Sequence, residues 1–371
     1  MLPRIKEEGV LYRNPSPHVR SVQAYFPSVV TMDNGEMLAT LVLAEAFEAP
    51  NMRSWTARSR DEGRTWQLEK AIYPGTQNRL TSDGCRLTAF PGGELAAFMV
   101  RHDRTDHPDE GLTNPETLGF VPTELLLLRS CDYGHTWSEP AAIDPPLCGP
   151  SFELCSPITP LRDGRWVLPT STWRGWDGHS PNGNRMVALV SSDRGESWPV
   201  YWNVLHNADR STFFWESKIV ELPDGRLLAV AWTYDELANA DLPNHYSLSA
   251  DHGKTWLAPQ SMGLCGQTLT PYLMASGHIL SVYRRKDTPG LWAAVSHLDG
   301  DNWVNDHHVP LWGALTEDVT DADANMAQKF QTLRFGAPCL CELPGGDLFV
   351  AFWCVEECVA GIRWIRLTLG L

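Results

Sequence analysis

The sequence predicts an all-β fold, a six-bladed β-propeller of four-stranded antiparallel blades, on three observations. An eight-residue phrase recurs down the chain, an apolar phrase built round a glycine recurs between its copies, and amphipathic helical patterns are scarce. The tryptophans that end the first phrase lie about 71, 61, 58 and 47 residues apart, a period of propeller blades rather than of helical solenoids.

The first phrase reads S-x-D-x-G-x-T/S-W. Its copies are Ser59–Trp66, Ser130–Trp137, Ser191–Trp198 and Ser249–Trp256, with a worn fifth at Ser296–Trp303. Its chemistry is that of a turn: the aspartate caps backbone N–H groups, and the glycine takes a positive φ. The tryptophan is then free to pack as a plate against the neighbouring repeat.

The second phrase is a turn-breaker, an apolar run, a glycine and another apolar run, which is a β-hairpin. Its six copies turn at Gly35, Gly93, Gly164, Gly225, Gly277 and Gly346. Six inner hairpins, each followed by an outer pair of strands, make six blades. The sixth has no Asp turn, so its outer strand is expected from the N-terminal segment around Val10-Leu11-Tyr12, beside a strand at residues 362–369. Residues 317–331 are the one expected short helix.

The repeat fills the chain, so one domain over residues 1–371 is expected although the length alone allows two or three. The N-terminus lacks the apolar core of an export signal, and no stretch approaches the ~18 apolar residues of a membrane span. Nine cysteines form no small-domain framework, and reduced thiols in a cytoplasmic setting are expected. Cys339, Cys341, Cys354 and Cys358 read better as core residues than as metal ligands. The net charge of −15 argues against nucleic acid or an anionic membrane as partner, though a locally basic pocket could still hold an acidic sugar. No cofactor or metal is expected, and the oligomeric state is not legible.

Repeated S-x-D-x-G-x-T-W turns on a six-bladed pattern resemble the Asp-box repeats of the sialidase (neuraminidase) superfamily, over nearly the whole chain. That resemblance implies a glycoside hydrolase in which three arginines clamp the substrate carboxylate, a tyrosine paired with a glutamate is the nucleophile, and an aspartate is the acid/base. The tyrosine suits an anomeric centre bearing a carboxylate, because a neutral nucleophile approaches it without charge repulsion. Matched position by position, Glu216 stands at the family's glutamate. Trp232 replaces one arginine, and Tyr25-Phe26-Pro27 replaces the opening Arg-Ile-Pro. Ala337 falls on the nucleophile, and Ala44-Glu45-Ala46-Phe47 leaves Glu45 or Glu48 in the acid/base region.

A propeller directs the ends of its inner hairpins to an axial funnel, where catalytic groups are expected. The inner strands begin there at Tyr25, Asp83 with Arg86, Glu153, Glu216, Gln267 and Phe335; their partners end at Val42, Arg101, Ser171, Trp232, Arg284 and Trp353. Glu216 follows Phe214 and Trp215, which suit a desolvated general acid or base. Glu153, Asp83 and Glu45 are its candidate partners, against turn chemistry or a structural ion pair. Arg284 fills in blade five the slot of the arginine missing from blade four, and a guanidinium fork suits an acidic sugar. Tyr283 beside it should point to the opposite strand face. Trp215, Trp232 and Trp176, the last in the loop Trp173–His179, are candidate sugar-stacking groups. The 101–120 loop, with Asp103, Asp106 and two histidines, could shape a pocket.

These residues predict an exo-glycosidase for a terminal sialic or other acidic sugar, with a glycan as partner. Two alternatives stand beside it: a hydrolase or lyase for another sugar, such as arabinose or rhamnose, and a non-catalytic glycan- or protein-binding propeller.

Overall fold

Glycine turns and alternating apolar runs give strands throughout. The computed structural model describes residues 2–154, 156–207, 211–314, 329 and 333–369. Among the described residues the regular elements are β-strands and one 3-10 turn, Pro91–Gly93, with Lys329 a single residue in helical conformation. The strands make six antiparallel sheets, each a blade, so the fold is the expected six-bladed propeller. All but Lys329 of the expected helix at 317–331 lies outside the described residues. No helix among the described residues is long and apolar enough to cross a membrane.

In chain order, β1 (Pro3–Tyr12) precedes blade 1, which is β2 (Gln23–Thr31), β3 (Met37–Ala44), β4 (Arg53–Ser59) and β5 (Gln67–Ala71). Blade 2 is β6 (Thr81–Ala89), β7 (Leu95–Asp103), β8 (Thr123–Ser130) and β9 (Ala141–Ile143). In blade 3 the innermost strand is broken into β10 (Ser151–Phe152) and β11 (Thr159–Pro160). Both pieces pair β12 (Trp166–Trp173), which β13 (Met186–Ser191) and β14 (Val200–Leu205) follow. Blade 4 is β15 (Thr212–Glu221), β16 (Leu227–Asp235), β17 (Ala240–Ser249) and β18 (Gln260–Ser261). Blade 5 is β19 (Gly266–Leu273), β20 (Ile279–Arg285), β21 (Gly290–Asp299) and β22 (Asn302–Trp312). Blade 6 is β23 (Phe335–Glu342), β24 (Leu348–Glu356) and β25 (Val359–Leu369), and β1 completes it against β25 as expected.

The chain divides into two compact units. One, residues 3–143 and 327–371, holds blades 6, 1 and 2; the other, residues 144–326, holds blades 3, 4 and 5. In the second unit Leu161, Val167, Val204 and Ile219 join blades 3 and 4 in one apolar cluster, and Leu228, Tyr246, Leu269 and Tyr283 join blades 4 and 5 in another. In the first unit Leu38, Leu87, Leu95 and Leu126 do the same for blades 1 and 2.

The Asp turns connect the third strand of a blade to its outermost segment, and those of blades 1 and 4 pack it on the preceding blade. In the first, Asp61 Oδ1 accepts the Thr65 N–H at 2.8 Å, Oδ2 accepts the Thr65 hydroxyl at 2.6 Å, and Ser59 Oγ accepts the Gly63 N–H at 2.9 Å. Asp132, Asp193 and Asp251 repeat these bonds. Gly63 has φ +86°, and a Cβ there would lie 2.3 Å from the Phe349 ring of blade 6; Gly253 has φ +88°, with Trp202 of blade 3 at 2.5 Å. The tryptophans pack as plates, Trp66 on Phe349 (centroids 5.8 Å apart) and Trp256 on Trp202 (6.2 Å). The worn fifth copy is a two-residue hairpin pairing Asp299 with Asn302, yet Trp303 still packs on Tyr246 of blade 4 at 5.5 Å.

Two outcomes follow from the turns. Gly253→Ala should lower the melting midpoint more than Gly225→Ala, which has φ +89° and nothing within 4 Å. Both carry the left-handed strain of about 1–2 kcal/mol, but only the first also meets the neighbouring blade. Equal shifts in calorimetry would show that Trp202 simply gives way. The second concerns acid. Hydrogen bonds from Ser197 and Ser191 hold the Asp193 carboxyl down at about 2, and those from Thr255 do the same for Asp251. At Asp132 burial opposes ionisation, and the bonds from Thr136 and Ser130 outweigh it, again to about 2. A carboxyl depressed in the folded chain stabilises it above the ordinary value of 3.8 and loses that contribution as pH falls toward about 2. The melting midpoint should therefore fall over that window, less steeply in Asp251→Asn.

Candidate functional site

Four inner strands share one irregularity near their start. In β2, β15, β19 and β23 two residues oppose one on the partner strand: 26 and 27, 216 and 217, 268 and 269, 337 and 338. The first of each pair is a non-glycine in the left-handed region: Phe26 (φ 50°), Glu216 (50°), Thr268 (55°) and Ala337 (47°). Such a bulge disrupts the ladder and re-aims a side chain. Pro27 and Pro338 fill the second position in two blades, where the missing N–H costs no ladder bond.

Just before each bulge stand cross-strand pairs close to those expected: Tyr25 with Val42, Trp215 with Trp232, Gln267 with Arg284, Gly336 with Trp353. Blade 2 has no bulge and pairs Asp83 with Arg101. Glu216 and Phe335 lie one position from the paired residue.

The bulges of blades 4 and 5 are bound by carboxylates from the preceding blade. Glu153, in the break between β10 and β11, accepts the Glu216 N–H through Oε2 at 2.9 Å. Glu216 in turn accepts the Thr268 N–H through Oε2 at 2.6 Å. Next to Thr268, the Gln267 amide nitrogen donates to Asp241 at 3.0 and 3.2 Å, and its oxygen accepts from Arg284 Nη2. Trp232 Nε1 donates to Asp241 at 2.6 Å. Glu153, Glu216, Gln267, Arg284, Asp241 and Trp232 thus form one polar network over three consecutive blades. Asp241 is the member that sequence reading missed, because Ala240-Asp241-Leu242-Pro243 has no strand alternation to mark it.

Trp215 lies between two other rings, 3.9 Å from Trp173 and 5.2 Å from Trp232 between centroids, with interplanar angles of 26° and 28°. All three are buried, so Trp215 and Trp232 offer their faces to one another rather than to a sugar; Trp176 is half-buried in the same loop as Trp173. Arg284 is buried as well. Tyr283 points the other way, into the core between blades 4 and 5, as strand alternation requires. Burial pushes Tyr25, Tyr234 and Tyr283 each up to about 12, away from an ionised nucleophile.

The unit of blades 6, 1 and 2 carries the other expected groups. Asp83 is buried, accepts the Ser54 N–H at 2.7 Å and lies 3.8 Å from Arg53. Burial raises its pKa against the opposing pull of Ser54, Arg53 and Arg101. Around it, Arg101 and Arg79 both bind Glu124, at 2.6 and 2.7 Å, and Arg79 reaches Asp103 at 3.2 Å. Burial works against ionisation of Glu124, but its two arginines outweigh it and hold the carboxyl low. Arg86 donates to Phe26 O at the bulge of blade 1 (3.1 Å), a positioning contact. Where the resemblance sets an arginine, Tyr25 joins Phe26, Phe47 and Trp353 in an aromatic cluster with centroids 5.3–6.4 Å apart.

Glu45 is exposed. Glu48, half-buried with φ 57°, accepts the Leu112 N–H at 2.9 Å and offers its carbonyl to the buried Arg104, which organises the 101–120 loop. Within that loop burial lowers the His102 pKa to about 3. The thiols of Cys339, Cys341 and Cys354 are pushed up by burial to about 11, 12 and 12, in keeping with core packing, but Cys358 is exposed at the turn between β24 and β25 and is not the core residue expected.

The network makes a separable prediction. Glu153→Gln keeps an oxygen for the Glu216 N–H and should melt close to the parent. Glu153→Ala leaves that N–H unpaired and should cost about 1–3 kcal/mol by denaturant unfolding. Equal losses in both variants would show that charge, not the acceptor, matters.

No protein-family profile and no curated protein matches the chain. Solved structures do. A protein of unknown function from Dyadobacter fermentans superposes with a TM-score of 0.73 at 20% identity, over 99% of each chain. The intramolecular trans-sialidase of Ruminococcus gnavus superposes with 0.64 at 14% identity, over 93% of this chain and 94% of that one. The Trypanosoma rangeli sialidase, in complex with sialic acid, gives 0.62 at 13% identity, over 93% of this chain and 54% of that one. At these identities the likeness is one of fold, and the fold is that of a sialidase-like six-bladed propeller.

Proposed function

We propose that the chain is a glycoside hydrolase that releases a terminal sugar from a glycan, with Glu216 as a catalytic carboxylate. The observation that carries this reading is that the strained bulge position, filled by Phe26, Thr268 and Ala337 in blades 1, 5 and 6, is filled in blade 4 by a carboxylate, Glu216. A non-glycine residue at φ 50° costs about 1–3 kcal/mol, and such strain gathers at functional sites. The bulge turns Glu216 out of the ladder into the one half-exposed position between the buried Trp215 and Ser217. Glu153 and Asp241 are the carboxylates that share its network, and either can serve as the second group of an acid/base pair. Arg284, reached through Gln267, supports an acidic sugar, sialic acid foremost.

A neutral sugar is the second reading. It is favoured by the aromatic residues at two of the three slots where the resemblance sets an arginine: Trp232, which gives its N–H to Asp241, and Tyr25, packed against Phe47 and Trp353.

Aryl glycosides of sialic acid, a uronic acid and neutral sugars test both. Turnover of the sialoside or uronide supports Arg284 as the clamp, and turnover of neutral glycosides alone supports the second reading. On whichever substrate turns over, Glu216→Gln should lose about 10²–10⁴ in rate while melting like the parent, since its amide oxygen still accepts the Thr268 N–H. A near-normal rate removes Glu216 from the mechanism. Failure of the folded parent on every glycoside leaves a glycan-binding propeller.

A further inference from the structure

Away from this network, blade 5 gathers three metal-ligating side chains that no sequence motif announces. His278 ends the β19–β20 turn, His297 lies on β21 and Asp306 on β22. Their ligand atoms all lie within 4.8 Å of one another. His297 Nδ1 is 2.9 Å from Asp306 Oδ2, and His278 Nε2 is 3.8 Å from the same oxygen. Donors bound to one tetrahedral zinc at about 2.0–2.2 Å stand roughly 3.3–3.5 Å apart, a separation these two distances bracket.

Two further features point the same way. In β22, Asp306 is the extra residue of a bulge: Asn305 pairs with Ser296 and His307 with Val295. The bulge takes Asp306 out of the ladder and lets it meet both imidazoles. Ser276 Oγ lies 3.1 Å from His278 Nδ1. A hydroxyl that accepts the Nδ1 proton leaves Nε2 as a lone-pair donor toward Asp306, the outer-shell arrangement that orients a ligating histidine.

We infer that His278, His297 and Asp306 form a binding site for a first-row divalent ion of the zinc type, with water completing the coordination. Two imidazoles and one carboxylate select such an ion over magnesium or calcium, which take oxygen ligands. The bound ion would tie the inner hairpin tip of blade 5 to its edge strand, a structural role independent of any glycosidase activity.

The test is titration of the chelator-stripped full chain with Zn²⁺ and Co²⁺ by calorimetry and visible absorption, beside His278→Ala, His297→Ala and Asp306→Asn. Circular dichroism confirms that the variants fold. The inference expects a saturable equivalent, at least tenfold weaker in each variant, and a Zn²⁺-dependent rise in melting midpoint that the variants lack. Binding equally tight in the variants overturns it. So does a cobalt complex that shows only thiolate-to-metal charge transfer, which would assign the ion to the exposed Cys131, Cys148 or Cys358. Absence of saturable binding overturns it as well.

Discussion

Blades 1 and 4 each carry a turn that leaves no room for a side chain where the preceding blade packs. The aspartate bonds in Ser59–Trp66 and its copies fix the turn, the glycine at its centre lies against a neighbouring ring, and the tryptophan covers the same ring. Those two contacts come from one eight-residue segment, so a single short phrase of sequence seats one blade on another. Where the aspartate geometry lapses, at Ser296–Trp303, the tryptophan contact persists through Tyr246, which accepts the Trp303 N–H at 3.0 Å. The packing of the plate is therefore the more basic need, and the aspartate is one way to meet it.

The opposite demand governs the start of the inner strands. A bulge there frees a backbone N–H from the ladder, and a buried N–H without a partner is costly. Blades 4 and 5 meet it with carboxylates, Glu153 for the Glu216 N–H and Glu216 for the Thr268 N–H. The same groups that a glycosidase would use are thus also the ones that hold neighbouring blades in register. A carboxylate with one oxygen committed to the backbone is already fixed in orientation, so on the proposed reading the structural role would also supply the preorganisation that catalysis needs.

The turns, the hairpin glycines and the return of β1 to the last blade were legible in the sequence, because each rests on residue types at short, fixed spacing. The cross-strand positions Asp83 with Arg101 and Gln267 with Arg284 were legible too, by counting from the hairpin glycine. The bulges were not. Phe26, Glu216, Thr268 and Ala337 share no residue type, and their positive φ is imposed by pairing with the partner strand rather than by their own preference. For the same reason the stacking of Trp173 on Trp215 and the place of Asp241 escaped sequence reading: both depend on register between strands of different hairpins. The break of blade 3's inner strand at Glu153 likewise has no local sign beyond Pro157 and Pro160.

The pairing of β1 with β25 bears on how the chain comes to be folded. Val10 faces Arg363 and Pro3 faces Leu369, contacts about as remote in sequence as the chain allows. During synthesis, β1 is made well before β25 and waits, its edge unpaired, until that strand follows. Blades 1 to 5 can each close on their own consecutive strands in the meantime, but blade 6 cannot. Its closure is a late, non-local event, and until then β1 is an open edge on which another chain could pair.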